Sequence, residues 1–101
     1  MGYDLRPMNA PNGDPALSSL REEIEAADRD LLAAFCRRLQ VAARIRDHKQ
    51  ECGYEHIDPE REQELLAEWR QASDGTPTDE ALVELFETVL RLSKRETSRG
   101  Q

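Results

Sequence analysis

Three cations on one long helical stretch define the chemistry open to this chain: Arg21, Arg38 and Lys49. Arg38 and Lys49 are eleven residues apart, so on a helix they leave nearly the same face, with Cα atoms roughly 16 Å apart along the axis. Two long side chains at that separation can lean onto one bound anion. Arg21 precedes Arg38 by seventeen residues, roughly 25 Å along the axis. It cannot reach the same ligand from its own chain. If all three serve one site, Arg21 must come from a second, antiparallel copy. The site is then dimeric and built for a small polyanion.

The element carrying these cations shows in the apolar spacing. Leu17, Leu20, Ile24, Ala27, Leu31, Phe35, Leu39, Ala42 and Ile45 recur at intervals of three or four, which predicts a helix. It runs from about Pro15 to Glu51, with Asp14 at its start and Gly53 as its break. A helix that long rarely stands in a small domain without a partner to cover it. Asp58-Pro59-Glu60 marks a second start, with an acidic cap and a proline in the first turn. Leu65, Leu66 and Trp69 line the second helix, which ends near Ala72 ahead of Ser73-Asp74-Gly75 and Pro77. Thr76 or Thr78 caps a third helix, with Asp79 and Glu80 at its positive end. Its stripe is Leu82, Leu85, Phe86, Val89 and Leu90.

No stretch alternates as a strand would. The expected fold is all-α, one long helix and two shorter ones, with residues 15–97 as the helical domain. Residues 1–14, rich in glycine and proline, and residues 98–101 are expected to be tails. Along the third helix the line 82, 86, 89, 93, 97 passes from Leu, Phe and Val into Ser93 and Thr97. A site wall would turn polar in this way, and so would a helix end emerging into water.

Composition narrows the function. A chain of 101 residues holds one small domain. Its net charge of −7 argues against nucleic acid, where a basic face is expected, and makes any basic cluster a local exception. No segment approaches the ~20 apolar residues of a membrane span. The first residues lack the apolar run of a secretory signal, so the cytoplasm is the expected compartment. Cys36 and Cys52 would lie roughly 24 Å apart on a continuous helix, beyond disulfide reach, and are expected to be reduced thiols. His48 and His56 add no metal-ligand spacing, and no metal or cofactor is expected.

LREEIEAADRDLLAAFCRR, followed by Lys49 and then IDPEREQELL, resembles the all-helical class of chorismate mutases over about residues 17–97. The resemblance implies an intertwined homodimer in which two long first helices interlock and each active site draws on both chains. By the same resemblance, Arg21 is the arginine donated across the dimer to a substrate carboxylate, and Arg38 clamps a carboxylate within its own chain. Lys49 contacts a carboxylate and the ether oxygen. Asp58 and Glu62 stand near the substrate hydroxyl with Arg61 beside them, and Ser93 near a carboxylate. The family usually has glutamine or glutamate at the position of Thr97, to reach the ether oxygen. Threonine is shorter, and Glu96 faces about 100° away on a regular helix.

The residue types suit that reaction. A pericyclic rearrangement of chorismate to prephenate needs no nucleophile or metal, only a dianion held folded and charge stabilised on the breaking C–O bond. Arginine grips carboxylates in two-pronged fashion, and lysine offers a compact charge.

Blander readings exist for each residue. Arg21 could pair with Glu25 one turn on, and Arg38 with Glu22 or Asp28 of another helix. Asp58 could be a cap as well as a site residue, and Arg61 and Glu62 surface charges. Other functions compatible with the scaffold are a 4-amino-4-deoxychorismate mutase, an isochorismate pyruvate lyase and a non-catalytic helical dimer. Asp58 counts against the lyase; Arg38 and Lys49 count against the non-catalytic dimer. A mutase needing a partner enzyme of the same pathway, docked through the tails, is an intermediate case.

Overall fold

The structure, a computed structural model, describes residues 13–98. The expected tails fall almost wholly outside the described residues. Three helices account for most of the rest: α1 (Pro15–Cys52), α2 (Pro59–Ala72) and α3 (Asp79–Thr97). Among the described residues there is no strand. The expected all-α architecture, one long helix and two shorter ones, is what forms.

Local chemistry sets each boundary. Asp14 Oδ1 accepts from the Ala16 and Leu17 amides at 3.0 and 3.3 Å, satisfying donors that the first turn of α1 cannot pair internally. Gly53 takes a positive φ of 73°, the left-handed turn that closes a helix C-terminus. The Tyr54 amide then donates back to the Lys49 carbonyl at 2.8 Å. Asp58 Oδ1 caps α2 by accepting from the Arg61 amide at 3.2 Å. Of the two threonines that could cap α3, Thr78 does so, through the Ala81 amide at 3.3 Å.

The chain forms two compact units that divide within α1, between Cys36 and Arg37. The first contains the N-terminal half of α1, where Leu20, Ile24, Leu31 and Leu32 are all more than half exposed. The second contains the rest of α1 with α2 and α3. Its core is small, with Leu82 and Phe86 buried. The Trp69 ring meets Phe86 edge-on, with centroids 5.0 Å apart, a favoured aromatic geometry. Arg70 spans from α2 to α3, donating to both carboxylate oxygens of Asp79 at 2.8 and 3.2 Å.

That hydrogen bond holds the Asp79 carboxyl below its ordinary value. The sign follows: the pair's contribution is complete at neutral pH and is lost as pH falls through the lowered value. Both groups are solvent-exposed, so the contribution is small.

α3 departs from expectation at one position. Leu85, assigned to its apolar stripe, is half exposed. On a helix Leu82, Phe86, Val89 and Ser93 fall within a narrow sector, whereas Leu85 lies about 60° off Leu82. The polar end of that sector is a wall and not an emergent tip, because Ser93 is only 5% exposed. Both cysteines are free and exposed.

Phe86→Ala should destabilise the fold by about 3–5 kcal/mol, the usual range for emptying a buried aromatic site. Thr78→Ala should cost only about 1 kcal/mol, as a lost cap does. Urea denaturation of both variants checks this, and equal effects would mean that Phe86 is not the centre of the core.

Candidate active site

The second half of α1 places Arg38, Ala42, Ile45, Arg46 and Lys49 on one face. Their spacing of four, three, one and three residues returns the helix to the same side. The loop after α1 brings His56, the start of α2 brings Asp58, Arg61, Glu62 and Leu65, and the far end of α3 brings Leu90, Ser93, Lys94 and Thr97. All of these line one cleft of about 190 Å³.

Its charge is opposite to that of the chain. Arg38, Arg46, Lys49, Arg61 and Lys94 face two carboxylates, Asp58 and Glu62, within a protein of net charge −7. The cations are held in different ways. Arg38 Nη1 donates to Ser93 Oγ at 2.7 Å. Lys49 Nζ donates to the His56 carbonyl at 3.4 Å. Both acceptors are neutral, so both cations keep their charge for a ligand. Lys94 is instead paired with Glu62 at 3.0 Å, and Arg61 with Glu64 at 3.1 Å and more loosely with Glu68.

Asp58 is at once the α2 cap and a cleft residue. Thr97 lines the cleft, but its hydroxyl donates back to the Lys94 carbonyl at 3.4 Å. Of the eight residues singled out in the sequence, seven line the cleft: Arg38, Lys49, Asp58, Arg61, Glu62, Ser93 and Thr97. Arg21 belongs to the N-terminal unit and is not among the lining residues.

Arg46 and Lys94 also line the cleft and are not signalled by the motifs. Arg46 could be found from helical geometry, since it lies eight residues after Arg38 and three before Lys49. Lys94 carries no comparable signal beyond its place beside Ser93.

The arrangement suits binding and electrostatics more than covalent chemistry. The Ser93 hydroxyl is bonded to a cation and not to a base, so it lacks the activation a nucleophile needs. Among the described residues no three His, Cys, Asp or Glu side chains gather as a metal site would require. None of the helices there is long and apolar enough to cross a membrane. What remains is a small cleft in which Ala42, Ile45, Leu65 and Leu90 stand among charged and polar residues, with two cations bonded to neutral acceptors and two carboxylates, an arrangement suited to a compact anion.

Known proteins resemble this chain in sequence and in fold. The family described as chorismate mutase type II matches residues 20–98. The T-protein of Enterobacter agglomerans is 35% identical over 83 residues, covering 80% of this chain and 21% of its own length. The T-protein of Haemophilus influenzae is 33% identical over 82 residues, covering 81% and 21%. The chain thus spans about a fifth of the length of the curated relatives it matches. Two solved forms of the chorismate mutase of Thermus thermophilus share its fold. Form I superposes with a TM-score of 0.73 at 29% identity, over 77% of this chain and 98% of that one. Form II gives 0.77 at 28%, over 83% and 96%. This chain belongs to the chorismate mutase type II family.

A cyclic dicarboxylate should bind more weakly as salt is raised, and Arg38→Ala should cost about 1.5–3 kcal/mol of that binding, the usual worth of a charged hydrogen bond. Titration calorimetry at two ionic strengths reads both. Salt-independent binding, or unchanged affinity in the variant, would remove Arg38 from the anion site.

Proposed function

We propose that this chain is a chorismate mutase, a cytoplasmic homodimer that converts chorismate to prephenate without a cofactor. The observation that carries the reading is that one cleft holds Arg38 and Lys49, on one face of α1, together with Asp58, the cap of α2, and Glu62 in its first turn. The reaction breaks one C–O bond and forms one C–C bond within the same molecule. No proton, electron or water enters or leaves the balance. The protein's task is to select the folded conformer and to stabilise negative charge on the departing oxygen.

In this reading Arg38, held by Ser93, grips one carboxylate, and Arg61 borders the cleft mouth. The partner subunit's Arg21 closes on the other carboxylate. Lys49, held by the His56 carbonyl, presents a compact charge to the ether oxygen and a neighbouring carboxylate. Asp58 and Glu62 accept from the ring hydroxyl. The homodimer draws support from α1, which has no buried residue in 38 although its stripe includes Leu20, Ile24, Leu31 and Ile45. An apolar face of that length is stable only when something covers it. A second copy, antiparallel, would cover it and deliver Arg21.

A second reading keeps the site and changes the substrate to 4-amino-4-deoxychorismate. The two carboxylates at the rim would suit an ammonium as well as a hydroxyl. A pathway partner that engages the enzyme through its ends is compatible with either substrate.

The test is product analysis after chorismate, isochorismate and 4-amino-4-deoxychorismate are supplied separately. Prephenate from chorismate is the expected result. Turnover of the amino analogue alone would establish the second reading, and pyruvate from isochorismate would replace both with a lyase. Lys49→Ala should lower kcat by roughly 100- to 1,000-fold, as loss of a preorganised donor does. A rate within a fewfold of the parent would take the developing charge away from Lys49.

A further inference from the structure

Lys94 and Glu62 both line the cleft, and they hold each other. The lysine, in the last turn of α3, places Nζ 3.0 Å from Oε2 of the glutamate, in the first turn of α2. The other carboxylate of the cleft is treated differently. Asp58 Oδ1 accepts from the Arg61 amide, a neutral donor that leaves its charge intact. One carboxylate is thus matched by a cation and the other is not.

On an open surface such a pair contributes little and asks for no explanation. Here the Glu62 side chain is 32% exposed and stands in the cleft as an acceptor for the ring hydroxyl in the reading above. What the pair changes is the kind of group that Glu62 can receive. A carboxylate has two oxygens and about four lone-pair sites, so one that accepts from a lysine can still accept from a hydroxyl. For an ammonium the balance is different. The glutamate's charge is already matched, and the lysine repels a second cation beside it.

The charge of the whole ligand points the same way. Chorismate brings two carboxylates and a neutral ring hydroxyl. Its 4-amino analogue brings the same carboxylates and, at neutral pH, an ammonium in place of that hydroxyl. Lys94 adds positive charge to the cleft and so favours the more anionic of the two.

Building on the chorismate mutase reading, we propose that Lys94 is a specificity-determining residue, whose ion pair with Glu62 makes the cleft accept a ring hydroxyl and disfavour an ammonium on the same carbon. Discrimination of this kind works by repelling the wrong ligand as much as by holding the right one. It decides between two substrates that Asp58 and Glu62 alone would suit.

The experiment compares the parent with Lys94→Met, which keeps the length and removes the charge, and with Lys94→Arg, which keeps the charge. Prephenate formation is followed at chorismate concentrations well below KM while 4-amino-4-deoxychorismate is added. The analogue competes whether it is turned over or only bound. The concentration that halves the rate, divided by the chorismate KM, therefore reads the preference. In Lys94→Met that ratio should fall roughly five- to twentyfold, the effect of one like charge in a partly exposed site. In Lys94→Arg it should stay close to the parent's. The ratio compares two ligands on the same protein, so a loss of stability alone does not move it.

An unchanged or raised ratio in Lys94→Met overturns the proposal. So does an equal fall in Lys94→Arg, which would make shape and not charge the determinant. Failure of the underlying reading looks different: the parent itself would form no prephenate, and both claims would then fall together.

Discussion

Arg38 Nη1 and Ser93 Oγ meet at 2.7 Å across fifty-five residues of sequence, and the cleft depends on how that contact is made. A half-buried guanidinium in a cleft that Ala42, Ile45, Leu65 and Leu90 also line is costly unless its donors are satisfied. A carboxylate would satisfy it and cancel its charge. A serine hydroxyl fixes the group and leaves the charge intact. Lys49 is treated alike, with a backbone carbonyl in place of the hydroxyl. Lys94 and Arg61, in contrast, are matched to glutamates. The fold thus separates cations kept for a ligand from cations neutralised internally. In the proposed reading, that separation gives an acidic chain a site for a dianion.

The same division shapes α1. Its second half builds one wall of the cleft, while along its length large aliphatic side chains such as Leu31 and Ile45 stand in water. Leu82 and Phe86 are the buried apolar residues of the described chain, a core too slight to account for an all-helical protein of this size standing alone. In the proposed dimer the pairing of long helices supplies both the missing burial and the missing cation, Arg21. Stability and catalysis would then rest on one interface.

Much of this is legible in the sequence. Helix ends follow from local chemistry, and Asp14, Gly53, Asp58 and Thr78 act where their types and neighbours say they should. The position of Ser93 in line with Leu82, Phe86 and Val89 marks a polar patch on an apolar face. Whether that patch is wall or tip depends on what lies opposite, which periodicity does not encode. Leu85 reads as core because any helical stripe accepts a three-residue step, although that step carries the side chain to the edge of the buried sector. The Arg70–Asp79 clamp joins exposed residues with no motif. Arg46 is passed over because charged residues on a helix read as solvated unless a pattern claims them. Its place in the cleft lining is a tertiary fact.

The claim that one site is shared between two chains is tested most directly by mixing two inactive variants, Arg21→Ala and Arg38→Ala, under conditions where subunits exchange. Each mixed dimer would hold one intact site and one doubly impaired site. Equal mixing should therefore restore about a quarter of the parent's chorismate mutase activity, since half the dimers are mixed. Activity that stays at the level of the separate variants, after exchange has been verified by mass spectrometry of tagged chains, would contradict a site built from both.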